Sequence, residues 1–110
     1  MNEIEQGPSG GSIVGYLVTT KDELVRLFGD PSDEKDEYKT QNAWNLKING
    51  EMVCIYDYKL DNKYEDWDII EFHVAGKSIQ ALFELMVVGF EPSQVLTFQE
   101  RRDRMWAKFA

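Results

Sequence analysis

Residues 43–58 constrain this chain more than any other stretch. Ala43-Trp44-Asn45-Leu46-Lys47-Ile48 carries its large apolar residues with a period of two, and Glu51-Met52-Val53-Cys54-Ile55-Tyr56-Asp57-Tyr58 returns after Asn49-Gly50. A type I′ turn needs positive φ at both central residues, which Asn and Gly accept readily, so the dipeptide predicts a two-residue hairpin. That turn sets the register: Ile48 opposite Glu51, Leu46 opposite Val53, Trp44 opposite Ile55. Trp44, Leu46, Ile48, Val53 and Ile55 then share one face, and Ala43, Asn45, Lys47, Met52, Cys54 and Tyr56 share the other. The first is a core face. The second is amphipathic, so something covers it or binds it.

Other elements follow around the hairpin. Ser12–Val18 is rich in strand formers. Thr20-Lys21-Asp22-Glu23 is a capping-box pattern, with Leu24, Val25, Leu27 and Phe28 as an apolar stripe and Gly29 as the stop. Asp68–Val74 predicts a strand with Ile70, Phe72 and Val74 on one side and Ile69, Glu71 and His73 on the other. Ser78 opens a helix through Met86, with a stripe of Ile79, Leu82, Phe83 and Met86. Ser93 opens a last helix, with a stripe of Val95, Phe98, Arg102, Met105, Trp106 and Phe109. Gly7-Pro8-Ser9-Gly10-Gly11 makes residues 1–11 read as a flexible tail, leaving 12–110 as a single globular domain. The order β-α-β-β-β-α-α predicts an α+β fold: an antiparallel sheet of about four strands with helices packed on one face.

Composition narrows the function. Fourteen aromatic residues exclude a disordered acidic tail. No stretch approaches eighteen apolar residues, so no membrane span is expected. The N-terminus is acidic and has no apolar core of the secretory kind, and the only cysteine, Cys54, has no partner for an internal disulfide. The expected setting is cytoplasmic. Twenty acidic residues against twelve basic ones give a net charge of −8, a field that repels phosphate backbones and attracts cationic surfaces. Generic nucleic-acid binding is therefore disfavoured. No phosphate-loop, dinucleotide, zincin or serine-elbow motif is present, and Asp61–Asp66 lacks the glycine and oxygen spacing of a calcium loop. No metal and no cofactor are expected, and no catalytic set is assigned. His73 with Glu71, or with Cys54, has the residue types of a base or nucleophile pair, but a lone histidine and a lone cysteine on strands are more simply structural.

Four stretches together carry a resemblance. They are Gly15-Tyr16 with Glu23-Leu24-Val25-Arg26-Leu27-Phe28-Gly29-Asp30-Pro31; Asp36-Glu37-Tyr38-Lys39-Thr40 with Trp44; Ile55-Tyr56-Asp57-Tyr58-Lys59; and Phe72-His73-Val74-Ala75-Gly76-Lys77-Ser78. In order and spacing they resemble a family of small proteins encoded by bacteriophages and some other large DNA viruses, over roughly residues 15–85. Phe72, Val74 and Ala75 stand where that family has Trp, Ile and Gly. The resemblance implies a viral accessory protein, one that blunts a host defence inside the host cell, and it brings no settled activity with it.

Two readings of function result. In the first, the chain is a non-enzymatic accessory protein that binds a host protein with a basic surface, through acidic residues Asp33, Glu34, Asp36, Glu37, Asp66 and Asp68. In the second, Tyr38, Lys39, Tyr56, Lys59 and His73 line a pocket for a small anionic, nucleotide-like ligand. Homo-oligomerisation through the C-terminal helix is a third possibility.

Overall fold

The structure is a computed structural model that describes residues 2–32, 42–58 and 63–107. In chain order its elements are β1 (Ile4–Gln6), β2 (Ser12–Thr20), α1 (Lys21–Phe28), β3 (Ala43–Ile48), β4 (Glu51–Tyr56), β5 (Ile69–Gly76), α2 (Gln80–Val87), a 3-10 turn (Pro92–Gln94), β6 (Val95–Leu96) and α3 (Phe98–Ala107). The hairpin forms as its turn dictates. Asn49 and Gly50 have φ of 51° and 84°. Ile48 pairs with Glu51, Leu46 with Val53 and Trp44 with Ile55. All five core-face residues of the hairpin are buried.

The fold is α+β, with one antiparallel sheet ordered β1-β3-β4-β5-β2-β6. Among the described residues it has six strands rather than about four, because two short strands lie where composition pointed elsewhere. β1 sits inside the segment that reads as a tail. Its own apolar content is slight; the Asn49 turn holds it, with Asn49 Oδ1 accepting from the Glu3 amide at 2.9 Å and the Asn49 amide donating to the Glu3 carbonyl at 2.7 Å. β6 sits where an apolar stripe predicted the start of the last helix. There Pro92 opens a 3-10 turn, Val95 and Leu96 pair with Leu17 and Tyr16, and the helix begins at Phe98. Thr97, not Ser93, caps it: Thr97 Oγ1 accepts from the Glu100 amide and Glu100 Oε1 accepts from the Thr97 amide.

The strand order also explains the glycine-rich segment. The chain must pass from β1, beyond β3, to β2, beyond β5. Four strand spacings amount to ~19 Å, and the six residue steps from Gln6 to Ser12 reach only ~20 Å when extended. Residues 7–11 are therefore a strap with little slack. The strap crosses the sheet face opposite the core: the Cys54 thiol donates to the Pro8 carbonyl at 3.5 Å. A Cβ on Gly11 would lie 2.8 Å from the Gly76 carbonyl oxygen, and Gly11 has φ of +82°. Only glycine allows that approach.

Helices α1 and α2 cover the core face with Leu24, Phe28, Ala81, Leu82 and Leu85. Thr20 Oγ1 caps α1 by accepting from the Glu23 amide at 3.1 Å, while the Glu23 carboxylate pairs with Arg26 instead of reaching back. The buried face of α2 differs from the expected stripe. Ala81, Leu82 and Leu85 face the sheet, Met86 is half-buried, and Ile79 and Phe83 are exposed. The cause is Ala81, whose Cβ would be 2.9 Å from a Cβ on Gly76, so two small residues let the helix settle on the sheet at that point.

Candidate functional site

The site lies on the second face of the sheet, between the strap and α3. Register creates it. His73 on β5 has Tyr16 of β2 opposite it on one side and Tyr56 of β4 on the other. Tyr58, two residues past Tyr56, projects to the same side. The three phenol rings stand 5.2, 5.5 and 5.0 Å from the imidazole, centroid to centroid, with Tyr16 edge-on and the other two tilted. These separations lie in the range where aromatic pairs attract beyond simple burial. On the β2 side, Phe98 of α3 meets Tyr16 edge-on at 5.7 Å, and the Arg101 guanidinium sits 4.7 Å from the Tyr16 ring centroid. Arg101 Nε also reaches Glu71 Oε1 at 2.7 Å.

The floor is uncharged at neutral pH. Burial lowers the His73 pKa from its ordinary value near 6.5; Arg101 lowers it further and Glu71 opposes both. Burial raises the Tyr56 hydroxyl. Among the described residues, charge lies at the border of the floor, where Glu71 and Arg101 pair with each other. Behind the floor, Asp57 is fully buried between Tyr56 and Tyr58 in sequence. Its Oδ2 accepts from the Asn42 amide at 3.0 Å and from the Tyr64 hydroxyl at 2.5 Å. Burial, then the hydrogen bond to Asp57, raises the Tyr64 hydroxyl far above its ordinary value.

The arrangement suits stacking and docking better than bond-making. The Cys54 thiol is raised by burial and donates to a carbonyl, the opposite of thiolate activation. Glu71, the residue placed to orient His73 as a base, is engaged by Arg101. Among the described residues, no three His, Cys, Asp or Glu side chains are grouped to hold a metal ion. No helix among them is long and apolar enough to cross a membrane.

Of the residues expected in the pocket, Tyr56 and His73 come together, whereas Tyr38, Lys39 and Lys59 lie outside the described residues. Asp33, Glu34, Asp36 and Glu37 also lie outside them. Asp66 and Asp68 occupy the exposed turn before β5. The Asp66 carboxylate is 3.8 Å from Lys21 Nζ, and Asp68 Oδ2 accepts from the Glu65 amide at 2.8 Å. Comparison with protein-family models, curated proteins and solved structures gives no match to this chain. Sequence reasoning missed Tyr16, Phe98 and Arg101. The period of two in β2 signalled Tyr16, because Leu17 faces the core. The Thr97-x-x-Glu100 capping box signalled where the helix bearing Phe98 and Arg101 starts.

The depressed His73 pKa has a testable consequence. The unfolded chain binds this proton at a higher pH than the folded chain, so the folded state loses stability as pH falls through the unfolded value near 6.5. The loss levels off once pH passes below the folded pKa. Urea unfolding from pH 7.5 to 5.5 is expected to show a steeper decline for the wild type than for His73→Phe. Parallel curves would contradict the neutral, half-buried imidazole.

Proposed function

We propose that this chain is a non-catalytic binding protein that recognises a cationic protein partner, with the His73–Tyr56–Tyr58 floor as the apolar centre of the contact. The observation that carries this reading is the convergence of three tyrosines on one neutral histidine, on the sheet face that α1 and α2 leave uncovered. Tyrosine supplies large contact area at small entropic cost and is enriched at the centres of protein interfaces. The net charge of −8 supplies the long-range attraction for a basic partner. The resemblance to viral accessory proteins adds a setting, a host protein met inside the infected cell. For the small-ligand alternative, Arg101, the described cation beside the floor, is already paired with Glu71.

Tyr58 is the natural probe, being 37% exposed at the rim of the floor. A partner captured from host extract, then purified, is to be titrated calorimetrically against wild type and Tyr58→Ala. The expected results are a loss of about tenfold in affinity for the variant and a further weakening at high salt. Equal affinities would remove the floor from the contact. Nucleotides and cyclic nucleotides are expected to leave the melting temperature unchanged. A stabilising nucleotide whose effect disappears in His73→Ala would favour the small-ligand alternative instead.

A further inference from the structure

Every residue from Asn2 to Gly11 is exposed except Gly7, which is half-buried. The segment is nevertheless fixed at both ends. At the first end Asn49 grips it. Beside its two bonds to Glu3, the Asn49 side-chain amide donates to Asn2 Oδ1 at 3.3 Å and to Glu84 Oε2 at 2.9 Å. β1 then pairs with Leu46–Ile48, and the Gly7 amide donates to the Asn45 carbonyl at 3.0 Å. At the second end Ser12 and Ile13 pair with Gly76 and Ala75 as the start of β2.

Between these ends the strap closes on Cys54. The residue is 3% exposed, although it stands on the sheet face that α1 and α2 leave uncovered. Its thiol donates to the Pro8 carbonyl, and its sulfur accepts from the Gly10 amide. Both partners belong to the strap. With little slack, the strap cannot lift off Cys54 while both ends hold. The β2 end is secured by pairing with β5 and β6. The β1 end depends on surface hydrogen bonds, and its one large apolar side chain, Ile4, is 39% exposed. Release of that end leaves the core whole: no residue of 2–11 belongs to it, and β3 keeps its pairing with β4. A segment held in this way opens at a free energy below that of global unfolding.

We infer that residues 2–11 are a latch: β1 undocks from β3 together with the strap while the rest of the domain stays folded, and the open form uncovers Cys54 and the sheet face beside Tyr56. Asn49, at the hairpin turn, thereby controls access to a thiol five residues further on in β4. Cys54 and Tyr56 project to the same side of that strand, so opening extends the uncovered surface from the tyrosine floor along β4. The latch is a property of the chain alone and does not rest on the proposed recognition of a cationic partner.

Cys54 is the only cysteine, so its labelling by an aromatic disulfide reagent at about pH 8 reads the open population. The wild type is expected to react at least about a hundredfold more slowly than the urea-unfolded chain. Its rate is expected to change little with urea below the unfolding transition, because a local opening exposes little surface. Asn49→Gly keeps the positive φ of the turn and removes the side-chain grip, and is expected to react about tenfold faster than wild type. Glu3→Pro, just ahead of β1, removes the amide that Asn49 Oδ1 accepts from and leaves Glu84 its partner. It is expected to react about fivefold faster. Circular dichroism is expected to remain that of the folded domain in both variants. A wild-type thiol that reacts as fast as the unfolded chain would overturn the inference. So would a rate that rises with urea as steeply as global unfolding, since Cys54 would then be reached only when the whole domain opens, or wild-type rates in both variants. No outcome involves Tyr58 or a partner, so failure of the latch and failure of partner recognition are read separately.

Discussion

Trp44→Ala is expected to lower the unfolding free energy by about 4 kcal/mol, within the range for truncating a large aromatic in a packed core. Trp44 is buried in the middle of the sheet, on the face that α1 and α2 cover. Its ring stands edge-on to Phe72 of the next strand but one, at 5.9 Å and 86°. Its indole Nε1 donates to the Gly29 carbonyl at 3.0 Å, the residue that ends α1. One side chain thus ties β3 to β5 and to the end of the first helix. Alanine leaves a cavity that neither β5 nor α1 can fill without moving, because both are fixed elsewhere by strand pairing and by the Thr20 cap. Trp44→Phe keeps much of the packing but leaves the Gly29 carbonyl without its indole donor, and is expected to cost about 2 kcal/mol. Urea unfolding followed by circular dichroism separates the three proteins. A change below about 1 kcal/mol for Trp44→Ala would mean that the hairpin face is not the core.

The hairpin was legible because local chemistry determines it. Asn49-Gly50 fixes the turn, the turn fixes the register, and alternation assigns the faces without any distant contact. Thr20 and Gly29 fixed the first helix in the same way. The misreadings have one common cause, which is that the deciding contact is remote in sequence. β1 is a strand because Asn49 holds Glu3, forty-six residues away. Gly7–Gly11 is a strap because the strand order requires a crossing, and composition alone cannot separate a segment that needs glycine for close approach from one that is merely loose. Val95 has the spacing of a helical stripe but belongs to β6, because β2 offers it an edge. In the site, Tyr56 and His73 were readable as neighbours on adjacent strands. Tyr16 joined them through the pairing of β2 with β5, and strand order was the one thing the pattern of apolar residues left open.

Asp57→Ala carries the second large expected effect, about 3 kcal/mol. The carboxylate is fully buried and receives donors from two separate segments, the Asn42 amide before β3 and the Tyr64 hydroxyl beyond β4. Removing it leaves both half-buried donors without this acceptor. Asp57→Asn keeps an acceptor oxygen and the side-chain volume, so its expected cost is about half. Tyr64→Phe removes a hydroxyl that donates to Asp57 and accepts from Asn42 Nδ2 at 2.9 Å, and its expected cost is about 1 kcal/mol. If the Tyr64 hydroxyl acts through Asp57, the double variant Asp57→Asn, Tyr64→Phe costs less than the sum of the two singles; strict additivity would show that the contact contributes nothing. The consequence for function follows from position. Asp57 separates Tyr56 from Tyr58, so the contacts that hold its backbone also aim those two rings at His73. Loss of the carboxylate is therefore expected to weaken partner binding in the fully folded variant, at a temperature well below its melting point. Unchanged binding in a folded Asp57→Ala protein would show that the tyrosines hold their places by stacking alone, and that the buried carboxylate serves stability without serving recognition.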